Sequence, residues 1–279
     1  MRRHRWGMAA ALCALAVFAW MGAMGAVWLR RAQRTLTIEV ISPQADVQAM
    51  AQETRADAPT VLIYHTHTWE AYEMEADGEY VPTETWRTRD ERFNMIRVGE
   101  ALAGELTALG FAVTHDTTAF EPPSLSTAYT RSLEMLEARL AAGETYDYIF
   151  DVHRDAYSGD WNGANCAQAE DGEAVAYVML LVGKGTGATG AGFDERPDWP
   201  QNLELAQALT DAINAIVPGA AREVKIKTGR FNQHVSTNAL LIEVGNNRNT
   251  LAEALAACPI IAQGIAAVHA QRTAAESAR

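Results

Sequence analysis

The stretch VLIYHTHTWEAY, residues 61–72, joins a buried strand to a candidate metal site. Its first four residues are apolar, with the continuous pattern of a strand that is buried on both faces of a parallel sheet. His65 and His67 follow at once, and Glu70 lies three residues beyond the second imidazole. Because imidazole and carboxylate groups are ligands that zinc prefers in proteins, the turn after this strand is predicted to aim side chains at one ion.

Apolar runs of strand length alternate with amphipathic segments along the rest of the chain. This alternation predicts an α/β fold, a three-layer sandwich with a largely parallel central sheet flanked by helices. The predicted strands are residues 60–65, 111–116, 146–153, 174–183, 222–228 and 238–245, the predicted helices are residues 94–110, 126–143, 202–217 and 249–275, and residues 155–172 are predicted to form a loop.

The N-terminus predicts one transmembrane helix. Residues 6–29 carry no charge, and at about 1.5 Å per residue a helix of that length crosses a hydrocarbon core of roughly 30 Å. The segment exceeds the usual signal-peptide core of about 7–15 residues. We therefore interpret residues 1–30 as a cytoplasmic N-terminus and a signal anchor, with a cleaved signal peptide as the alternative. Residues 31–58 are then a stalk, with a short strand at 35–42, and residues 59–279 form the main domain.

Composition and charge narrow the function classes. The net charge is −12 and no basic run occurs beyond the N-terminus, which argues against nucleic-acid binding. Because most of the chain follows the predicted span, we expect a single-pass protein of the cell membrane with an extracytoplasmic domain. Cys166 and Cys258 lack the C-x-x-C spacing of a cysteine zinc site. A disulfide between them and two separate buried thiols both remain open.

Polar side chains follow three of the predicted strands, where ligands bind in open α/β sheets. We predict that His67, Glu70 and His153 hold zinc and leave one position for water. Glu243, in the apolar run LLIEVG, is predicted to take the proton from that water. An unpartnered carboxylate on a buried strand costs several kcal/mol, so its presence there points to a function.

Other residues near the strand ends are candidates for supporting roles. Arg154 or Asn246 is predicted to stabilise the oxyanion of a tetrahedral intermediate, and Asp151 or Asp155 to orient an imidazole. Two residues of the loop before Glu243, Asn232 and His234, are candidates for substrate contact. His115 is interpreted as a surface or supporting residue, and Asp90 and Glu91 are alternatives to Glu70 as the acidic ligand.

Four motifs in the same order resemble the stage II sporulation protein P family: VLIYHTHTWEAY, RDERFNMIRVGEALAGEL, FDVHRDA and RFNQHVSTNALLIEVGNNRNTLAEAL. The resemblance covers about residues 60–265 and implies a membrane-anchored peptidoglycan hydrolase of endospore-forming bacteria. The family is related in fold to the zinc-dependent N-acetylmuramoyl-L-alanine amidases. It cuts the amide between muramic acid and L-alanine, and also peptide cross-links. The implied partners are a lytic transglycosylase and a membrane scaffold protein of the engulfment complex, in the intermembrane space of the sporulating cell.

The resemblance also implies which residues act. It places zinc ligands at His67, rather than His65, and at His153, with Glu243 as the catalytic residue. For the acidic ligand we take Glu70, although the amidases would favour Asp90 or Glu91. Two other functions remain alternatives: a zinc peptidase or carboxypeptidase acting on other substrates, and a non-catalytic wall-binding scaffold.

Overall fold

The computed structural model describes residues 58–74, 80–157, 165–185, 196 and 198–278. The predicted signal anchor, the stalk and the short strand at 35–42 therefore fall on residues outside the described ranges, and they stay predictions. All described elements belong to one compact unit, Asp57–Arg279. The strands are β1 (Thr60–Tyr64), β2 (Ala112–His115), β3 (Tyr148–Asp155), β4 (Cys166–Gln168), β5 (Ala174–Ala176), β6 (Val178–Gly183), β7 (Lys225–Lys227) and β8 (Ala239–Asn246), and the helices are α1 (Met95–Ala108), α2 (Ala128–Ala141), α3 (Trp199–Ile216) and α4 (Leu251–Ser277).

Six strands form one sheet in the order β2-β1-β3-β8-β6-β7. The pairs β1–β2, β1–β3, β3–β8 and β6–β7 are parallel, and β6 runs antiparallel to β8. The prediction of a mostly parallel sheet in an α/β fold is thus confirmed. This order places the C-terminal ends of β1, β3 and β8 side by side at one edge of the sheet.

Alternate residues of β1 pack on opposite faces of the sheet. Val61 and Ile63 belong to the larger core, to which α1, α3 and α4 contribute their buried residues. Leu62 and Tyr64 belong to a smaller core that includes Ala128 and Leu136 of α2. Helices therefore cover both faces, which explains why β1 is apolar at every position.

One predicted strand is divided in the structure. Residues 174–183 form β5 and β6, and β5 pairs with β4 in a separate two-stranded sheet. β4 lies inside residues 155–172, which were predicted to form a loop. Strand pairing decides where the run divides, because β6 pairs with β8 only from Val178 onward. The amide of Tyr177, between the two strands, donates instead to the carbonyl of Asn165.

Within the described residues, α4 is the helix that is long and apolar enough to cross a membrane. It lies at the C-terminal end of the chain. The described residues do not bear out the predicted N-terminal placement of a transmembrane helix, which falls on residues outside them. Half of the most apolar window of α4 is buried, and Ile261 and Ile265 lie in the larger core. These contacts are those of a core helix in a folded domain.

His65 has a structural role beside the site. Its Nδ1 lies 2.7 Å from the carbonyl oxygen of Val152, and its Nε2 lies 2.9 Å from Nε2 of His115. The first contact requires Nδ1–H as a donor, so in the neutral ring Nε2 accepts a hydrogen from His115. Burial lowers the pKa of His65 to about 3, which keeps this ring neutral. The pair packs directly against Gly99 of α1.

We predict that Gly99→Ala destabilises the domain by about 1–3 kcal/mol, because an added methyl group forces rigid buried rings to move. A Cβ at this position would lie 2.4 Å from Nε2 of His65 and 2.5 Å from Nε2 of His115. The measurement is the free energy of unfolding in urea. Gly104→Ala on the same helix is the matched control. A Cβ there meets nothing within 4 Å, so that variant should be more stable by about 0.5–1 kcal/mol. Equal effects at the two glycines would contradict the close packing at Gly99.

Candidate active site

The predicted metal and catalytic residues meet where β1, β3 and β8 end. His153 on β3 lies directly opposite Glu243 on β8 in the strand register. The imidazole of His67, in the turn after β1, lies with its ring centre 5.3 Å from that of His153, and the two rings are nearly perpendicular. Glu70 completes the group, since its Oε2 lies 3.4 Å from Nδ1 of His153. Four residues from three separate segments of the sequence therefore share one buried corner.

A buried carboxylate fixes His153 from the other side. Oδ1 of Asp151 lies 2.8 Å from Nε2 of His153. The same carboxylate accepts hydrogen bonds from the amide nitrogen of Thr66 at 2.8 Å and from its hydroxyl at 2.7 Å. Of the two aspartates that were candidates for orienting an imidazole, Asp151 is thus the one in contact with His153. It also ties the end of β1 to β3.

The carboxylates around His153 give its surroundings a negative electrostatic potential. Burial by itself lowers the pKa of His153, but Asp151 and Glu70 outweigh it and raise the pKa well above its usual value. Burial similarly raises the pKa of Glu70, yet its contact with His153 dominates and holds that pKa at about 2. A corner that holds a proton on a fully buried imidazole favours positive charge in general.

The buried polar atoms here that have no hydrogen-bond partner among the described residues include Nδ1 of His67 and Oε2 of Glu243. Unpartnered buried polar atoms are uncommon in folded proteins and call for an explanation. Burial raises the pKa of Glu243 to about 8, and the charges of Glu70 and Asp155 add to that rise. Glu243 is therefore able to exchange a proton near neutral pH.

Glu121 is a residue of this corner that sequence reasoning missed. Its Oε1 lies 3.6 Å from Nδ1 of His67 and also pairs with the guanidinium of Arg87. Its Oε2 is buried without a hydrogen-bond partner among the described residues. No strand end or motif marks this position, because Glu121 stands in the irregular segment between β2 and α2. Only the packing of that segment against the turn after β1 brings it to His67.

The structure separates the three candidates for the acidic ligand. Glu70 is buried beside His153, as described above. Asp90 forms a surface ion pair with Arg92 at 2.6 Å, and Glu91 is exposed. Among the described residues, no group of three or more His, Cys, Asp or Glu side chains is already arranged as a metal cage. The assignment of Glu70 as a ligand remains a prediction.

Arg154 anchors the loop between β1 and α1. Its Nε donates to the carbonyl of Ala71 at 2.9 Å and its Nη2 to the carbonyl of Trp86 at 3.0 Å. Its backbone amide donates to Oε2 of Glu70 at 3.3 Å. Two guanidinium nitrogens are thereby committed to the backbone, so these contacts do not support the predicted oxyanion role and indicate a positioning role.

The three residues that were predicted to contact the substrate or its oxyanion, Asn232, His234 and Asn246, occupy different surroundings. Oδ1 of Asn246 accepts from the amide of Arg248 at 2.8 Å, within the turn that leads to α4. Asn232 is buried, and its Nδ2 donates to the carbonyl of Tyr129 at 2.9 Å. His234 is half-buried, with Nδ1 unpartnered among the described residues. The contacts of the two asparagines are structural. The substrate-binding roles of these residues stay predictions.

The two cysteines that the structure describes form no disulfide. Cys166 and Cys258 are both free, with Cys258 buried in the larger core and Cys166 partly exposed. Burial raises the pKa of each thiol to about 12, so neither is a thiolate nucleophile at neutral pH.

We predict that Arg154→Met destabilises the domain by about 2–4 kcal/mol, because it leaves the carbonyl groups of Ala71 and Trp86 without their charged donor. Urea unfolding measures the loss, and limited proteolysis should locate new cleavage between residues 69 and 88. Arg89→Met is the matched control. Arg89 is exposed and stacks on Trp69 at 4.5 Å, so its loss should cost less than about 1 kcal/mol. Equal losses in both variants would refute an anchoring role specific to Arg154.

Comparison with known proteins shows which family the chain matches. Residues 31–266 match the model of the stage II sporulation protein P family. The stage II sporulation protein P of Bacillus subtilis (strain 168) is 26% identical over 213 residues, which are 72% of this chain and 49% of that protein. The chain thus spans about half the length of this curated relative.

Two N-acetylmuramoyl-L-alanine amidases are among the solved structures to which this chain is similar. The enzyme from Clostridium difficile 630 is 16% identical with a TM-score of 0.43, over 77% of this chain and 98% of that one. The catalytic domain of CwlV from Bacillus (Paenibacillus) polymyxa var. colistinus is 12% identical with a TM-score of 0.41, over 77% and 98%. The match to the family model covers most of the sequence, and the chain belongs to the stage II sporulation protein P family.

Proposed function

We propose that this protein is a membrane-anchored, zinc-dependent peptidoglycan hydrolase that cleaves the N-acetylmuramoyl-L-alanine amide during sporulation. Membership of the stage II sporulation protein P family supports the setting. The observation that carries the proposal is the meeting of His67, Glu70, His153 and Glu243 in one buried corner at the ends of three parallel strands. Such a set of imidazoles and carboxylates has the donor chemistry of a hydrolytic zinc site.

The residues present fit zinc on two grounds. Nδ1 of His67 is buried without a hydrogen-bond partner among the described residues, as a nitrogen reserved for a ligand would be. His153 presents Nδ1 to Glu70 while Asp151 contacts its other nitrogen, which is the usual support for a zinc-bound imidazole. His67, Glu70 and His153 would therefore hold the ion, with Glu121 beside His67 as a further carboxylate.

Each residue then has a defined task in amide hydrolysis. Zinc, when bound, supplies a Lewis acid that polarises the carbonyl and makes water more acidic. Glu243 accepts the proton of the attacking water at Oε2 and delivers it to the leaving amine nitrogen as the C–N bond breaks. Its pKa of about 8 suits both transfers near neutral pH. Asp151 and Arg154 act as positioning residues, through His153 and through the loop that carries Glu70.

The family and the sequence support a proposal for the wider setting. We propose that residues 1–30 anchor the protein in the cell membrane with the domain outside the cytoplasm, in the intermembrane space of the sporulating cell. Peptide cross-links of the wall are proposed as additional substrates. A lytic transglycosylase and a membrane scaffold protein of the engulfment complex are the proposed partners.

Glu243→Gln is expected to reduce hydrolysis by about 10²–10⁴-fold while the zinc content and the fold stay unchanged, because the amide cannot accept the proton. The assay is digestion of dye-labelled sacculi by the zinc-loaded protein, with mass analysis of the released fragments to identify the bond. Glu100→Gln is the control, since Glu100 is an exposed residue of α1. Full activity in Glu243→Gln would remove this residue from the mechanism, and an inactive wild-type protein would overturn the proposed function.

His153→Ala is expected to lower the zinc content from about one ion per chain to near zero, because it deletes the ligand that Glu70 and Asp151 orient. Elemental analysis after gel filtration measures the metal directly. His269→Ala is the matched control, since His269 lies on α4 against Tyr148 and should leave the zinc content unchanged. Stoichiometric zinc in the His153 variant would contradict the assignment.

A further inference from the structure

A groove of about 840 Å³ lies between α2 and the loop that follows β7. From α2 it is lined by Tyr129 and Leu133, and from the other side by Lys184, Lys227, Arg230 and Phe231. Its walls therefore combine two aromatic rings with three basic side chains. The proposed chemistry at the strand ends uses none of these six residues.

The groove adjoins the candidate active site through Tyr129. The ring centre of Tyr129 lies 5.5 Å from that of His67 and 6.4 Å from that of His153, with the latter pair stacked. Phe231 continues the aromatic wall, with its ring centre 5.7 Å from that of Tyr129.

The positive charge of the groove contrasts with the rest of the chain. The whole protein has a net charge of −12 and contains only three lysines, Lys184, Lys225 and Lys227. Two of the three line this groove, and Lys227 is exposed. Clefts lined by one sign of charge concentrate ligands of the opposite sign. The expected ligand is therefore an anion.

The wall that carries Phe231 is held in an unusual backbone conformation. Phe231 and Asn232 have φ values of 50° and 53°, a region that residues other than glycine rarely adopt. Asn232 compensates by donating to the carbonyl of Tyr129 and, at 3.0 Å, to the hydroxyl of Ser132. Gly183 allows the loop to approach, since a Cβ there would lie 2.1 Å from the carbonyl oxygen of Gly229. Backbone strain that surrounding contacts hold in place clusters at ligand sites. Here the hydrogen bonds of Asn232 hold the wall that carries Phe231.

We propose that this groove binds the acidic peptide arm of the wall polymer and holds it beside the scissile amide. Lys184 and Lys227 pair with the free carboxylates of the peptide, and Tyr129 and Phe231 contact its apolar parts. The inference rests on the proposed function, because the peptide begins at the amide that the site would cleave. It adds that specificity comes from the charge of the peptide rather than from the sugar.

The test compares two soluble disaccharide-peptide fragments, one with free stem-peptide carboxylates and one with those groups converted to carboxamides. Binding is measured by calorimetry on the zinc-loaded Glu243→Gln protein at low ionic strength, where screening is weak. We expect the amidated fragment to bind about three- to tenfold more weakly. Lys184→Met/Lys227→Met in the same background should weaken binding of the free fragment by a similar factor and leave the amidated fragment unaffected.

A control removes two positive charges elsewhere, as Arg97→Met/Arg272→Met. These residues lie on α1 and α4, which pack on the opposite face of the sheet from α2, so both fragments should bind as before. Equal affinity of the unaltered groove for the two fragments overturns the inference, as does equal binding of a disaccharide without peptide. This comparison needs no groove variant, so it stands even if the double lysine variant fails to fold.

Hydrolysis separates this inference from the proposed function. Suppose that the wild-type protein releases peptide from sacculi, and that the double lysine variant cleaves each fragment with the KM and kcat of the wild-type protein. Only the groove assignment then fails. If the wild-type protein releases nothing, the proposed function fails first. A raised KM with little change in kcat for the free fragment alone is the result that supports the groove.

Discussion

The buried carboxylate of Asp151 is the constraint on which the site depends. It accepts two hydrogen bonds from Thr66 and contacts Nε2 of His153, so it joins the turn after β1 to β3. A charged carboxylate in this environment is costly to bury unless it is paired and hydrogen-bonded. The contacts that satisfy Asp151 therefore also fix the direction of the two polypeptide segments that carry His67 and His153. This charge can be buried only when those two segments are aligned.

Around that constraint, acidic groups outnumber fixed positive charges in the corner. Glu70, Asp151, Glu121 and Glu243 are all at least nine-tenths buried, and Arg87 and Arg154 are directed at Glu121 and at the loop backbone. Excess negative charge in a dry pocket raises the affinity for any cation, whether a proton on His153 or a divalent ion. The raised pKa of Glu243 has the same origin, because burial and neighbouring carboxylates disfavour one more negative charge.

The groove beside Tyr129 carries positive charge, opposite to that of the corner. Lys184, Lys227 and Arg230 lie on the side of the site that α2 and the strained loop at Phe231 enclose. An acidic ligand would be repelled by most of a surface with a net charge of −12 and attracted here, so the charge distribution orients a substrate before any specific contact forms. A corner that favours cations and a neighbouring groove that favours anions together suit the proposed substrate, which would be cleaved next to its charged end.

The sequence by itself determined the alternation of strands and helices and the residues that stand at strand ends, because burial on both sheet faces imposes continuous apolar runs and a parallel sheet brings its C-terminal ends together. His67, Glu70, His153 and Glu243 were predictable on that basis. Only the tertiary structure decided that Glu70 lies beside His153, while Asp90 pairs with Arg92 at the surface. It also decided that Glu121 reaches His67 and that Arg154 holds a loop. The division of residues 174–183 between two sheets is another such outcome. These outcomes depend on contacts between segments far apart in the chain, and local composition carries no record of which segment will pack against which.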